Sequence, residues 1–212
     1  MARQLDYQCK LCRREGMKLY LKGARCESPK CAIDRRNVAP GMHGYRKGKL
    51  SEYGIRLREK QKLKRFYGVF ERQFRRYFQL ASRSTENTGE QLLSIMERRL
   101  DNIIHRLGFA TSRAAARQIV AHGHVTLNGR KCTIPSLLVK PGDVIRSQVR
   151  TRSLTLINNQ LQDAGGPPVP DYLERAQGEA PEGRVLRMPS RGDVDPRIAD
   201  IREQFIIEVS AR

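Results

Sequence analysis

RRLDNIIHRLGFATSRAAARQIVAHGHVTLNG, residues 98–129, is the stretch that decides the fold. Leu93, Met96, Leu100, Ile103, Ile104 and Leu107 fall on one helical face, which predicts a helix from the capping-box pair Thr88 and Gln91 to Gly108. Ser112 suits the N-cap of a second helix that stops at Gly123. Val125-Thr126-Leu127 then reads as a short strand and Asn128-Gly129 as a two-residue hairpin. Arg113 and Arg117 are four apart and project together near a helix start, where free N–H groups favour an anion. Arg98, Arg99, Arg106, Arg130 and Lys131 extend this basic set, and Asn128 is grouped with it. Charge alone suits a solvated face as well as an RNA contact. His122 and His124 flank Gly123; with no acid or cysteine near, a cap or RNA contact outweighs a metal pair.

Downstream, Pro141-Gly142 marks a tight turn before a strand at Val144-Ile145, and Leu154, Ile157 and Leu161 stripe a helix. DAGGPPVP is a linker or loop. Tyr172–Ala176 and Val185–Met188 can pair around GEAPEG. Ile198, Ile201, Phe205 and Val209 fit a helix after Pro196, although FIIEV also suits a strand. Upstream, Ser51 caps a helix through Phe66 with Gly68 at its end, and a second helix runs from Val69 to about Ser82 with Phe70, Phe74, Tyr77, Phe78 and Ala81 inward.

Residues 1–50 are irregular, rich in Gly, Pro and Cys, and short of large apolar side chains. Cys9, Cys12, Cys26 and Cys31 read C-x2-C-x13-C-x4-C, two short-spaced pairs separated by a loop. That spacing suits four thiolates around one ion, Zn2+ by default or an iron–sulfur cluster on the same sulfurs. Such an ion would supply the stability that the missing core does not. Unligated thiols are the plain alternative, and a redox C-x-x-C lacks its βαβ setting. Cys132 stands alone.

The chain of 212 residues carries a net charge of +19. Residues 1–50 hold 13 basic against 4 acidic residues, 51–78 hold 9 against 3, and 98–160 hold 11 against 2, whereas 161–212 hold 7 against 10. Two basic blocks imply two units facing a polyanion, because the self-repulsion of such an excess needs an offset. The acidic tail is expected to face something else, such as protein. No apolar run reaches the length of a membrane span and the N-terminus lacks a signal-peptide core, so a cytosolic address without membrane or small-molecule substrate is expected.

The run RLDN through RLGFA, SR, ARQ and HGH to NG closely resembles the RNA-binding module of the small-subunit ribosomal protein four family. SEYGIRLREKQKLKRFYGVFERQFRRYF (51–78), the opening ARQL, CKLCRREGMKLYLKG and APGMHG resemble the same family, so the likeness covers essentially the whole chain. It implies an α+β fold: a four-cysteine metal-binding module at 1–45, a helical domain at 46–97 completed by 197–212, and an inserted mixed α/β domain at 98–196. The core of that inserted domain, about 98–161, is a helix-turn-helix packed on a small antiparallel sheet. The implied role is structural: binding the 5′ domain of small-subunit rRNA, nucleating assembly, and contributing to translational accuracy. The implied neighbours are small-subunit ribosomal protein five and mRNA where it enters the subunit. Some family members carry the four cysteines and others do not. Residues from about 163 to 194 match the family least.

Within that frame the expected RNA contacts also include Arg13, Arg14, Lys22, Arg35 and Arg36 near the cysteines. Arg56, Arg58, Lys60, Lys62, Lys64 and Arg65 follow on the first long helix, with Arg72, Arg75 and Arg76 on the next. Arg46, Lys47 and Lys49, in a Gly-flanked loop, are expected to grip the mRNA backbone, with contact to rRNA like their neighbours as the alternative. Two other functions compete. An RNA-modifying enzyme of the pseudouridine-synthase kind would need a catalytic domain, and only about fifty acidic, loop-rich residues follow the module. A zinc-dependent DNA-binding regulator would need a recognition helix and a dimer interface, and neither is evident.

Overall fold

The computed structural model describes residues 7–45, 48–162, 168–176, 178 and 180–211. Its α-helices, in chain order, are α1 (Gln8–Glu15), α2 (Ala32–Arg35), α3 (Glu52–Phe66), α4 (Glu71–Ser82), α5 (Thr88–Glu97), α6 (Leu100–Arg106), α7 (Arg113–Ala121), α8 (Thr151–Gln162) and α9 (Glu203–Ser210). The strands are β1 (Val125–Leu127), β2 (Arg130–Lys131), β3 (Val144–Ser147), β4 (Leu173–Ala176) and β5 (Glu182–Val185). None of the described helices is long and apolar enough to cross a membrane. The chain divides into two compact units, Met1–Leu92 with Arg197–Arg212, and Leu93–Pro196.

In the first unit, the Ser51 hydroxyl accepts from the Gly54 N–H at 3.1 Å and starts α3 where the sequence predicts. Phe74, Tyr77 and Ala81 of α4 are buried, but Phe70 is exposed, so the inner stripe is narrower than the aromatic pattern suggests. Asn87, not Thr88, caps α5: its side chain accepts from the Gly89 N–H at 2.9 Å, and Gln91 turns to Glu86 instead of closing a capping box. The FIIEV run is helical, within α9, and Ile206 is its buried residue. α9 packs on α3, where Arg56 meets Glu208 and Phe205, and the Arg202 N–H donates to Glu59 at 3.5 Å. Residues 7–45 are more ordered than their composition implies, with Cys9 and Cys12 inside α1.

The second unit packs α6 and α7 against an antiparallel five-stranded sheet of order β2-β1-β3-β5-β4. Its core includes Ile103, Ile104, Leu107, Phe109, Val120, Val125, Ile145, Ile157 and Tyr172, each fully buried. The single helix expected from Thr88 to Gly108 is broken at Arg98-Arg99. There the backbone turns extended and pairs with residues 137–139: Leu100 N–H donates to Leu137 O at 2.9 Å, and Val139 N–H to Arg98 O at 3.0 Å. Those bonds replace helical ones, so apolar periodicity alone cannot reveal the break. Asn128 and Gly129 both take positive φ, +50° and +78°, and form the expected hairpin turn between β1 and β2. The β4–β5 hairpin pairs Leu173 with Val185 and Ala176 with Glu182, so its second strand starts three residues before the expected Val185. Gly183 lets β5 press on the end of α6: a Cβ there would collide with the Leu107 side chain.

Candidate nucleic-acid interface

The module's most prominent arginines point inward, which corrects the expectation that all of them face RNA. Arg99 is fully buried and its Nε donates to Asp101 Oδ1 at 2.9 Å. Arg106 is buried, gives Nη2 to the Asp193 carbonyl at 2.9 Å, and lies 3.8 Å from Glu97 and 3.9 Å from Asp195. Burial alone would lower its pKa; Glu97, Tyr172 and Asp195 hold it above the usual guanidinium value. Tyr172 donates to Glu97 at 3.1 Å, and burial beside that carboxylate pushes the phenol well up. Arg113 bridges Asn102 and Asp195, each at 2.8 Å, and Arg117 lies 3.4 Å from Asp101. The expected phosphate pair Arg113 and Arg117 is thus tied to acids of its own unit. Arg98 gives Nε to the Val139 carbonyl at 2.9 Å. Asn128 uses its amide on Asp143 and on the Val144 N–H, which locks the hairpin to the start of β3.

The acids that answer these arginines come partly from the acidic tail. Asp195 holds Arg113, Asp193 holds Arg187, Glu182 holds Arg146, and in the first unit Glu208 holds Arg56. The expectation that the acidic tail faces something else, such as protein, is corrected for these four residues, which pair within the chain.

Other cations of the second unit stay exposed, among them Lys131 beside the His122-Gly123-His124 turn. The two rings lie 6.1 Å apart. The Lys131 side chain lies across Gly123, at the place a Cβ would occupy. Partial burial, then His122 and Lys131, lower the His124 pKa, so its ring favours the neutral form. His124 Nδ1 sits 2.9 Å from Ser153 Oγ, and its carbonyl accepts from the Gln148 N–H at 2.9 Å. These bonds hold Gln148 and Ser153, which flank Arg150 and Arg152 in the chain, at the His124 turn. Arg130, Lys131, Arg150 and Arg152 are exposed and make no ion pair among the described residues. Arg150 and Arg152 were missed in the sequence, although they too stand at a helix start, the position that singled out Arg113.

The first unit shows the same sorting. All six α3 candidates have acid partners: Arg56 with Glu52 and Glu208, Arg58 and Arg65 with Glu15, Lys60 and Lys64 with Glu71, and Lys62 with Glu59. Burial pushes the Glu15 carboxyl up while Arg58 and Arg65 pull against it. Burial also opposes ionisation of Glu71, but hydrogen bonds from Lys60 and Lys64 hold it at about 2. The expectation of a free basic face on α3 is therefore corrected. Arg72, Arg75 and Arg76 on α4 are exposed, and so are Lys22, Arg35 and Arg36. Arg13 and Arg14 donate to the carbonyls of Val38 and Pro40, at 2.7 and 3.2 Å, and fasten that loop to α1. Lys49 is exposed; Arg46 and Lys47 lie outside the described residues.

Cys9, Cys12, Cys26 and Cys31 line one cavity, with none in a disulfide. The Lys22 N–H points at Cys26 Sγ, 3.4 Å away, and the Leu19 backbone serves Cys12 in the same way. Burial, aided by the neighbouring sulfurs, pushes the Cys12 and Cys26 thiols up. Convergent soft donors with N–H groups aimed at sulfur fit a thiolate-bound ion. Among the described residues, no group of three or more His, Cys, Asp or Glu side chains is arranged to hold an ion as it stands.

Comparison with known proteins covers the chain from end to end. The family described as Ribosomal protein S4/S9 N-terminal domain matches residues 3–97, and the S4 domain matches residues 98–145. Proteins named small ribosomal subunit protein uS4 from Thermoanaerobacter sp. and Gloeobacter violaceus are each 53% identical to it over 212 residues, with 100% of both chains covered. The one from Pelotomaculum thermopropionicum is 52% identical over the same span. This chain belongs to the small ribosomal subunit protein uS4 family.

Proposed function

We propose that the chain is a structural, non-catalytic constituent of the small ribosomal subunit in the cytoplasm and that it binds small-subunit rRNA. The observation that carries the reading is the set of exposed cations Arg130, Lys131, Arg150 and Arg152, which make no ion pair among the described residues, in a chain of net charge +19. Such a set attracts phosphate, positions the protein on RNA and reads no base by itself. The readings as a modifying enzyme or a DNA-binding regulator fall away, because the relatives matched over their full length are ribosomal proteins.

The finer reading is that the protein joins the 5′ domain of the rRNA early in assembly, beside small-subunit ribosomal protein five. Arg46, Lys47 and Lys49 are assigned to the backbone of mRNA where it enters the subunit. Cys9, Cys12, Cys26 and Cys31 are assigned to one structural Zn2+, with an iron–sulfur cluster as the alternative. Bound there, the metal would supply charge for four thiolates, three of them buried, and a cross-link for residues 7–45. The four cysteines lining one cavity, with the Lys22 N–H aimed at Cys26 Sγ, support this.

Hydroxyl-radical footprinting of the full chain on purified small-subunit rRNA tests the reading. Protection confined to the 5′ domain, lost when Lys131, Arg150 and Arg152 are all changed to Gln, is the expected result. Protection spread evenly over the rRNA, or unchanged in the triple variant, would overturn the assignment of that surface.

A further inference from the structure

The loop from residue 19 to residue 27 carries backbone N–H groups to two of the four sulfurs. Leu19 serves Cys12, and the Lys22 N–H points at Cys26 Sγ from 3.4 Å. Between them Tyr20 takes a φ of +50°. That left-handed turn aims two nearby N–H groups at sulfurs from different segments. A bulky L-residue seldom adopts it, because the Cβ crowds the following carbonyl. A contact from elsewhere is needed to hold it.

That contact comes from far along the chain. The Arg197 guanidinium lies over the Tyr20 ring, 4.2 Å from its centroid. Through Nη2 it also pairs with Glu27, 170 positions away in sequence and next to Cys26. The Arg197 side chain is only 15% exposed. Ile198 and Ile201, just beyond it, are buried, and the Ile201 N–H donates to the Ile198 carbonyl at 3.1 Å, so the arginine stands on a fixed segment. A guanidinium can stack by its face and bond by its edge at once, whereas an ammonium offers a point charge and no plane. Arg197 therefore holds both ends of the loop, Tyr20 by stacking and Glu27 by charge.

We propose that Arg197 is a positioning residue of the four-cysteine site: it closes the 19–27 loop on the cavity, so that Cys12 and Cys26 keep their N–H contacts when a soft divalent cation such as Zn2+ is bound. This rests on the four-cysteine reading proposed above and adds a residue that the cysteine spacing cannot show. Arg197 acts through Tyr20 and Glu27 and is no ligand, since a guanidinium stays charged and has no acceptor to offer an ion. Residues 7–45 alone then hold the cation loosely, and the returning chain tightens the grip.

The test uses the full chain loaded with Zn2+ and a chromogenic chelator as competitor. Arg197→Gln should lower the apparent Zn2+ affinity by about 10–100-fold and speed release. Arg197→Lys should recover part of the loss, because it restores the charge beside Glu27 and not the stacked plane. With Co2+ in place of Zn2+, Arg197→Gln should shift the sulfur-to-metal absorption bands, which a loss of overall stability alone would not do. Tyr20→Gly removes the strain and the ring together, so in that background Arg197→Gln should cost much less. If the unaltered chain retains neither Zn2+ nor Co2+, the four-cysteine reading fails and the inference with it. If the unaltered chain binds one ion and Arg197→Gln keeps it with the same affinity and release rate, the inference fails while that reading stands. An equal loss with and without Tyr20→Gly would show that Arg197 acts through general folding and overturn the inference.

Discussion

Residues 7–45 and the inserted unit, Leu93–Pro196, reach order by different means. The inserted unit has an apolar core in which helices and sheet meet, and it adds buried ion pairs to that core. The N-terminal stretch has Leu19, Cys12, Cys26 and Cys31 as its buried apolar residues, held by polar ties such as Lys18 to Asp34, Arg197 to Glu27, and Arg13 to the Val38 carbonyl. Arg197 also stacks over Tyr20, 4.2 Å from the ring. Apolar burial is non-directional and tolerant of small shifts, whereas exposed ion pairs contribute only about 0–1 kcal/mol each. A segment built on the second kind of contact needs a cross-link, and the cavity shared by four cysteines is where one would form.

The largest expected effect tests that contrast directly. Stripping metal from the purified protein with a chelator, or changing Cys26 to Ser, should expose residues 7–45 to protease while the inserted unit stays resistant. Native mass spectrometry should show one ion lost from the four-cysteine protein. An equally resistant N-terminus in metal-free protein would remove the distinction between the two regions.

The next effect lies inside the inserted unit. Asp195 is fully buried and bonded to Arg113 at 2.8 Å, with Arg106 at 3.9 Å. Asp195→Ala leaves two enclosed guanidinium groups short of a partner and should cost about 3–5 kcal/mol in denaturant unfolding. Loss of less than about 1 kcal/mol would mean that the apolar core alone sets the stability of this unit.

The smallest effect is a pH dependence. Asp193 lies at about 2, below its ordinary 3.8: burial would raise it, but Arg187 and Ser190 bond to the carboxylate and outweigh burial. A carboxyl depressed in the folded state is protonated first in the unfolded chain. Its contribution is therefore complete above about pH 3.8 and is lost as pH falls toward about 2. Urea midpoints of the inserted unit should drop across that window, and Asp193→Asn should flatten the drop. An equal drop in the variant would place the acid sensitivity elsewhere.

Most of the elements were legible because their signals are local. Ser51 and Ser112 cap helices through their own hydroxyls, Asn128-Gly129 turns through its own φ angles, and the apolar stripes need no knowledge of their partners. The break at Arg98-Arg99 was not legible, since it depends on bonds to residues about forty positions away. The same separation hid the roles of the arginines. Arg106 and Arg113 look like surface cations until Asp193 and Asp195, more than eighty residues on, are brought to them. A positive charge in a sequence marks a cation; whether that cation is available depends on which acids the fold returns to it. Lys131, Arg150 and Arg152 are available because the fold returns none among the described residues.

α3 and α9 belong to one unit yet stand about 140 residues apart, joined by Arg56 to Glu208 and by Glu59 to the Arg202 N–H. A ribosome making this chain delivers α3 well before α9. The inserted unit, with all of its strands and its core encoded between them, has its full complement of residues first. Throughout that interval α3 holds its cations without Glu208, and the surface that α9 will cover remains open. The helical unit therefore closes only once α9 has been made, and a chain truncated before Glu203 should leave α3 unsealed and exposed to aggregation.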